Sequence, residues 1–234
     1  MKSETLPIQQ LFQDRRQYRV PFYQRAYVWS KEDQWEPLWS DIQDKAEARL
    51  ADSKPVPHFM GAAVLEPQQR RGLIGVETLH IIDGQQRLTT LQYVLAALAI
   101  TLREKQIPSL LSLVEGCLRN SNTETMENSD VEVFKLWPTY RDRNTFRLAM
   151  DAKNLEELRE KFPSSFTQGG GLRKKGMDHP PALEAIWFFN ERLAGWLGQD
   201  GNGEVANRVK ALTEAVLCDL RVRRKITSAF GCKA

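Results

Sequence analysis

The sequence predicts an α+β fold, with a small mixed sheet and helices in the first half and a helical second half. Short stretches rich in aromatic and β-branched residues lie before residue 85, as is typical of strands. Beyond residue 150, apolar residues recur instead at helical spacing. With 234 residues, 41% of them hydrophobic, the chain has enough apolar material for a large core.

The first elements follow from local composition. Residues 5–13 predict a short helix or turn, and Tyr18–Trp29 predicts an extended, edge-like segment because Pro21 lacks an N–H donor. Ser30, followed three residues later by Asp33, is typical of a helix start. Pro37 predicts either a second helical piece or a kink.

The central region predicts a strand pair followed by a long helix. Residues 59–66 and 73–82 read as paired strands across a polar loop. Directly after Asp83 and Gly84, leucines recur on one helical stripe. The stripe consists of Leu88, Leu91, Leu95, Leu98 and Leu102.

The remainder predicts loops and helices with one more strand. Residues 121–130 are polar and predict a loop, and a short strand follows, ending at Pro138. The stretch 168–176 is rich in Gly, Lys and Arg and predicts another loop. Three further helices are expected, over residues 154–162, 181–198 and 204–218.

These elements suggest a domain organisation. Residues 1–110 form the expected core, 111–220 a mainly helical extension of the same domain, and 221–234 a basic tail of uncertain status. The net charge of +3 does not by itself indicate nucleic-acid binding. The three cysteines are widely spaced, and no apolar run is long enough for a membrane span. We therefore expect a soluble cytoplasmic protein that does not associate with membranes.

The turn after the second strand of the pair carries an unusual polar group. Arg87 falls in the first turn of the predicted helix, where the helix dipole disfavours a cation. Either Asp83 compensates it, or an external phosphate does, held by free N–H groups, the Gln85 and Gln86 amides and the Arg87 guanidinium. Gly84 lets a ligand approach the backbone closely. Asp-Gly is also an ordinary turn, so the residues alone leave both interpretations open.

The aromatic segment offers a second candidate surface. If it is a strand, Tyr23, Arg25, Tyr27 and Trp29 share one face. We expect Tyr27 and Trp29 to pack in the core. Arg25 either pairs with a carboxylate there or, like Gln24, is a candidate to reach the same anion as Arg87, in which case Tyr23 is placed to stack on a base or sugar. Weaker candidates for DNA contact are Tyr23, Gln24, Arg70, Arg71, Arg173, Lys174 and Lys175.

Taken together, "VPFYQRAYVWSKEDQWEPLWSDI", "FMGAAVL" and "IIDGQQRLTTLQ" resemble the N-terminal domain of GmrSD-type modification-dependent restriction enzymes, which is also found in SspE- and BrxU-type phage-defence proteins. The matching order covers residues 5–105. The resemblance implies a ParB/sulfiredoxin-like core that binds and hydrolyses GTP or ATP with Mg²⁺ and so controls a nuclease domain.

Carried over by position, the resemblance implies a nucleotide site and a set of partners. Asp83, Gln86 and Arg87 would be catalytic, and Asp83 would hold Mg²⁺ or orient the attacking water. Asp142 is a weaker candidate for the same pocket. The nucleotide-binding set would be Gln24, Arg25, Asp83, Gly84, Gln85, Gln86, Arg87 and Thr90.

The implied partners are modified DNA and an HNH-type nuclease domain or subunit, and a homo-oligomer is compatible with the sequence. No HNH elements occur in this chain, so we expect no nuclease activity from it alone. Two alternatives remain: a non-hydrolytic module that recognises modified DNA or a partner protein, and a helical scaffold without activity.

Overall fold

A mixed six-stranded sheet organises the fold in the computed structural model, which describes residues 2–69, 74–173, 179–198 and 202–227. The strand order is β1-β6-β3-β4-β2-β5. The β3–β4 and β1–β6 pairs are antiparallel, and the other three pairs are parallel. The strands are β1 (Lys2–Pro7), β2 (Arg16–Arg19), β3 (His58–Pro67), β4 (Glu77–Asp83), β5 (Leu136–Trp137) and β6 (Leu220–Ile226).

Helices surround a core on one face of this sheet. The inward side chains of the central strands, among them Tyr18, Leu65, Leu79 and Ile81, are at most 1% exposed. The helices are α1 (Ile8–Phe12), α2 (Glu36–Leu50), α3 (Gln85–Glu104), α4 (Pro108–Leu118), α5 (Ser129–Glu132), α6 (Arg143–Met150), α7 (Leu155–Lys161), α8 (Pro181–Leu197) and α9 (Asn202–Glu214).

Helix α3 forms the centre of this core. Nearly every residue from Leu88 to Leu102 is buried, so the predicted leucine stripe is confirmed but understates the burial. A helix that is apolar on all sides is one that neighbours enclose completely. Helices α4 and α8 pack against α3. The N-terminus of α3 lies directly after the end of strand β4.

Most elements predicted from the sequence are confirmed. The strand pair is β3 with β4, Pro37 lies in the first turn of α2, and the helices expected after residue 150 are α7, α8 and α9. The short helix of residues 5–13 is α1, although the strand β1 before it was not predicted.

The extended segment Tyr18–Trp29 was predicted incorrectly beyond Arg19. Strand β2 ends there, and a turn follows in which the Gln24 N–H donates to the Pro21 carbonyl at 3.1 Å. Tyr23 is exposed and Tyr27 is buried, so the predicted strand alternation does not hold. Side chains, rather than a neighbouring strand, bind the N–H groups of Tyr27 and Val28.

The second half is mainly helical, as predicted, but it also supplies strands β5 and β6. Strand β6 includes residues 221–226 of the segment treated as a basic tail, and it pairs with both β1 and β3. Leu220 and Val222 are buried in the core, which explains why this basic stretch forms an inner strand. Residues 228–234 lie outside the described residues.

Candidate functional site

The turn between β4 and α3 depends on a glycine. Gly84 has a φ of 92°, a left-handed conformation that glycine adopts without strain. A Cβ atom at Gly84 would lie 2.8 Å from the backbone oxygen of Ala62. Strand β3 therefore packs directly against this turn, and no side chain caps the first N–H groups of α3.

Arg87 lies in the first turn of α3, and no acidic residue accompanies it there. Its Nη1 donates to the Ala62 carbonyl at 2.7 Å, and its Nη2 lies 3.9 Å from Oδ2 of Asp83. The Arg87 side chain is 25% exposed and that of Asp83 is 65% exposed, so this ion pair is long and partly exposed to solvent. Within the described part of the chain, Ala62 is the only hydrogen-bond acceptor for Arg87.

A second glycine makes room for this guanidinium. Gly61 in β3 has a φ of 98°, and a Cβ there would lie 2.9 Å from Nη1 of Arg87. The register between β3 and β6 also shifts between Phe59 and Ala62. The bulged strand therefore forms the surface on which Arg87 rests.

The two glutamines of the turn hold the aromatic segment. Gln85 donates through Nε2 to the Arg25 carbonyl at 2.8 Å. Gln86 donates to the Ala26 carbonyl at 3.1 Å and accepts from the Val28 N–H at 2.9 Å. These bonds satisfy backbone groups that have no strand partner, and they fix the segment above the turn. We call these contacts the glutamine clasp.

A buried hydrogen-bond network of hydroxyl groups lies next to the glutamine clasp. The Tyr27 hydroxyl lies 2.6 Å from Oγ1 of Thr90 and accepts from Trp35 Nε1 at 2.9 Å. Burial raises the pKa of the Tyr27 hydroxyl well above its usual range. Asp142 accepts from the Tyr27 N–H at 3.2 Å and from the Thr139 hydroxyl at 2.7 Å.

The aromatic segment and the turn enclose a cavity of about 210 Å³. Two guanidinium groups, those of Arg25 and Arg87, and one carboxylate, that of Asp83, line it. Arg25 is exposed and forms no ion pair with any described residue. The complete lining is Gln24, Arg25, Trp29, Asp83, Gly84, Gln85, Gln86 and Arg87.

The cavity thus brings together seven of the eight residues that the sequence suggested for nucleotide binding. Thr90 is the exception, because it is fully buried and serves the hydroxyl network. Gln24 donates to the Ile82 carbonyl at 2.9 Å and so ties the segment to β4. Asp142 does not line the cavity either and acts by holding Tyr27.

The weaker candidates for DNA contact are scattered. Tyr23 directly precedes Gln24, which lines the cavity; Tyr23 is 62% exposed and contacts the 92% exposed Phe22 edge-on. Arg173 donates through Nε to the Phe166 carbonyl and lies on a separate loop. Arg70, Arg71, Lys174 and Lys175 lie outside the described residues. Within the described ranges, no group of three or more His, Cys, Asp or Glu side chains could hold a metal ion.

Sequence reasoning missed three contributors to the site. Gly61 and Ala62 come from a strand that no polar motif marks, although the glycine in "FMGAAV" was a visible signal for a bulge. Trp29 was assigned to the core; it does pack against the core, but it also lines the cavity. The roles of Gly61 and Ala62 follow from the tertiary contact between β3 and the turn.

The fold and site define an α+β domain built around a strand–glycine–helix turn, which opens on a small cavity with two guanidinium groups and one carboxylate. The chain belongs to the family described as GmrSD restriction endonuclease, N-terminal domain, whose sequence model matches residues 8–192. It is therefore a module of a restriction system. Comparison with curated protein sequences finds no match. Among the helices of the described residues, none is both long and apolar enough to cross a membrane.

Proposed function

We propose that this domain binds and hydrolyses a nucleoside triphosphate, GTP or ATP, together with Mg²⁺. In this role it controls a nuclease domain or subunit, of the HNH type, in a restriction system that acts against phage and senses modified DNA. The supporting observation is Arg87, which lies at the cavity with N–H groups that no described residue uses. Guanidinium groups bind phosphate oxygens through paired, charge-assisted hydrogen bonds.

The size of the cavity suits phosphates rather than a whole nucleotide. Small-molecule pockets commonly measure about 300–1,000 Å³, and this one measures about 210 Å³. We infer that the phosphates occupy the cavity while the nucleoside lies toward the exposed rings of Phe22 and Tyr23. Aromatic faces of this kind stack on bases.

Electrostatics support the same orientation. Two guanidinium groups and the N-terminus of α3 outweigh the single carboxylate of Asp83, so the cavity favours a polyanion. Magnesium in nucleotide sites commonly uses one or two carboxylates plus phosphate oxygens and water. The exposed Asp83 side chain meets that requirement, and bound Mg²⁺ would neutralise charge on the phosphates.

In this proposal, the residues at and around the cavity have different roles. Arg87 and Arg25 bind phosphate oxygens, and Arg87 stabilises the charge that develops as the phosphoryl group transfers. Asp83 holds Mg²⁺ or orients the attacking water. Gln85 and Gln86 position the segment that carries Arg25. Thr90 supports that segment through Tyr27.

Phosphate release from GTP and from ATP, measured with Mg²⁺ and with or without DNA, tests the proposal. We expect Mg²⁺-dependent turnover that is lost in Arg87→Ala. Absence of turnover by the wild-type protein under all these conditions would contradict hydrolysis.

The alternative function is a non-hydrolytic module that recognises modified DNA or a partner protein. The exposed Phe22 and Tyr23 pair next to the cavity favours it, since exposed aromatic rings are typical of stacking surfaces. Comparing plain, base-modified and phosphorothioate duplexes at one salt concentration tests this function. Equal binding to all three would exclude modification sensing by this domain.

A further inference from the structure

Along strands β1, β6 and β3, one face of the sheet is not covered by the described helices, whereas at β2 residues of α5 cover it over Gln17. The buried core lies against the face that carries Leu65, Leu79 and Val222. On the opposite face Phe59 is 52% exposed and Ile82 is 37% exposed. We call this opposite surface the open face.

Strand β6 places three cations on the open face. Because side chains alternate along a strand, Arg221, Arg223 and Lys225 point away from the buried Leu220 and Val222. The position of the Arg223 guanidinium, 5.5 Å from the centre of the Phe59 ring, agrees with this direction. The three residues form a row about 13 Å long, since alternate strand residues are about 6.6 Å apart. We call it the basic row.

No charged residue pairs with the basic row in the sheet. Its register partners in β1 and β3 are Ser3, Thr5, Pro7, Phe59, Ala62 and Val64. Within the described ranges, none of its three cations forms an ion pair, although the structure contains many ion pairs elsewhere. The nearest carboxylate along β3 on this face is that of Glu66, beside His80 on β4. The row thus carries positive charge that no described carboxylate pairs with, although the Nε of Arg221 is buried and Asp83 lies beyond Val64 on β4.

The basic row adjoins the candidate nucleotide site. Ala62 is the register partner of Arg223, and its carbonyl accepts the hydrogen bond from Arg87. The register shift between β3 and β6 falls between Phe59 and Ala62, at Gly61. A ligand on the open face would therefore contact the strand that supports Arg87.

From these observations we propose that the basic row binds the phosphate backbone of duplex DNA, with the open face as the docking surface. A row of cations that form no ion pair with a described residue complements a linear polyanion. The choice of DNA as the polyanion rests on the proposed function, and the location of the surface does not. The contact is independent of base sequence, because only phosphates are bound.

Binding of an unmodified duplex of about 20 bp, followed by fluorescence anisotropy over a range of salt, tests this proposal. The triple variant R221Q/R223Q/K225Q should bind roughly 10- to 100-fold more weakly near physiological salt, and its log–log salt slope should be smaller by about 2.7. The control K105Q/R147Q/K153Q removes three exposed charges from the helical side and should bind like the wild type.

A variant that is expected to strengthen DNA binding controls for damage to the fold. Thr5 is exposed on β1 opposite Arg223, so Thr5→Lys extends the basic row and should tighten binding about fivefold. Misfolding cannot produce that gain.

Several results would overturn the proposal. The first two are an equal loss of DNA affinity in the control variant K105Q/R147Q/K153Q and an unchanged salt slope in R221Q/R223Q/K225Q. The others are absence of DNA binding by the wild type and tighter binding of single-stranded RNA than of duplex DNA. A change in oligomeric state instead of DNA affinity would assign the face to self-association. Triphosphate binding is measured on the same proteins, so failure of the nucleotide site and failure of the basic row give separate results.

Discussion

The two sides of one short turn perform different tasks. On the inner side, Gln85 and Gln86 are nearly buried and hold the backbone of residues 25–28. On the outer side, Asp83 and Arg87 are partly exposed, and one loose ion pair and one hydrogen bond to a backbone carbonyl hold them. Neighbouring residues with similar polarity thus divide into a structural pair and a pair that we propose binds the ligand. The difference is set by which groups the surrounding backbone leaves unpaired.

The largest effect is expected on the binding side. Arg87→Ala should weaken binding of a non-hydrolysable triphosphate by about 2–4 kcal/mol, because a charge-assisted contact in a partly enclosed site is lost. Calorimetric titration measures the change.

Arg159→Ala is the matched control for this variant. Arg159 also lies over a glycine with positive φ, Gly170, and donates to a backbone carbonyl, but it does not line the cavity. Equal loss of triphosphate affinity in both variants would contradict a specific role of Arg87 in binding the triphosphate.

The next effect is expected on the structural side. Gln86→Ala leaves the Val28 N–H and the Ala26 carbonyl without partners and should lower the free energy of unfolding by about 1–3 kcal/mol. Urea denaturation measures this, with Gln43→Ala on the outer part of α2 as control. An unchanged unfolding free energy in Gln86→Ala would show that the glutamine clasp is not structural.

A smaller effect is expected from the hydroxyl network behind the clasp. Tyr27→Phe removes the bonds to Thr90 and Trp35 and should lower the unfolding free energy by about 1 kcal/mol. Tyr140→Phe, at a position that is 81% exposed, should leave stability unchanged. If Tyr27→Phe matched that control in thermal and urea unfolding, the network would not stabilise the segment.

The smallest effect on stability is expected for Asp83→Asn. Its ion pair with Arg87 is long and exposed, so the unfolding free energy should change by less than about 0.5 kcal/mol. Phosphate release should nevertheless lose its Mg²⁺ dependence or fall sharply. A large loss of stability would instead assign Asp83 to the structural side of the turn.

Local patterns were sufficient to predict the strand pair, helix α3 and the turn between them. The leucine periodicity and the Asp-Gly pair are properties of consecutive residues, which explains this success. Strand β6 was treated as part of a tail because its sequence is basic, and its partners β1 and β3 are distant along the chain. Strand pairing over such separations has no local signal.

The sequence suggested seven residues that the structure brings together at one cavity, but it did not indicate which of them hold the backbone. Whether an amide binds a ligand or a backbone depends on which backbone groups face it, as the contacts of Gln86 illustrate. The aromatic segment was predicted as a strand because its composition is strand-like. In the fold, side chains satisfy its N–H groups, as Asp142 does for Tyr27.

A crystal structure with a bound non-hydrolysable triphosphate and Mg²⁺ tests the central claim most directly. We expect phosphate oxygens in the cavity within hydrogen-bonding distance of Arg87, with the glutamine clasp intact. Phosphates bound elsewhere, with Arg87 still donating only to the Ala62 carbonyl, would contradict it.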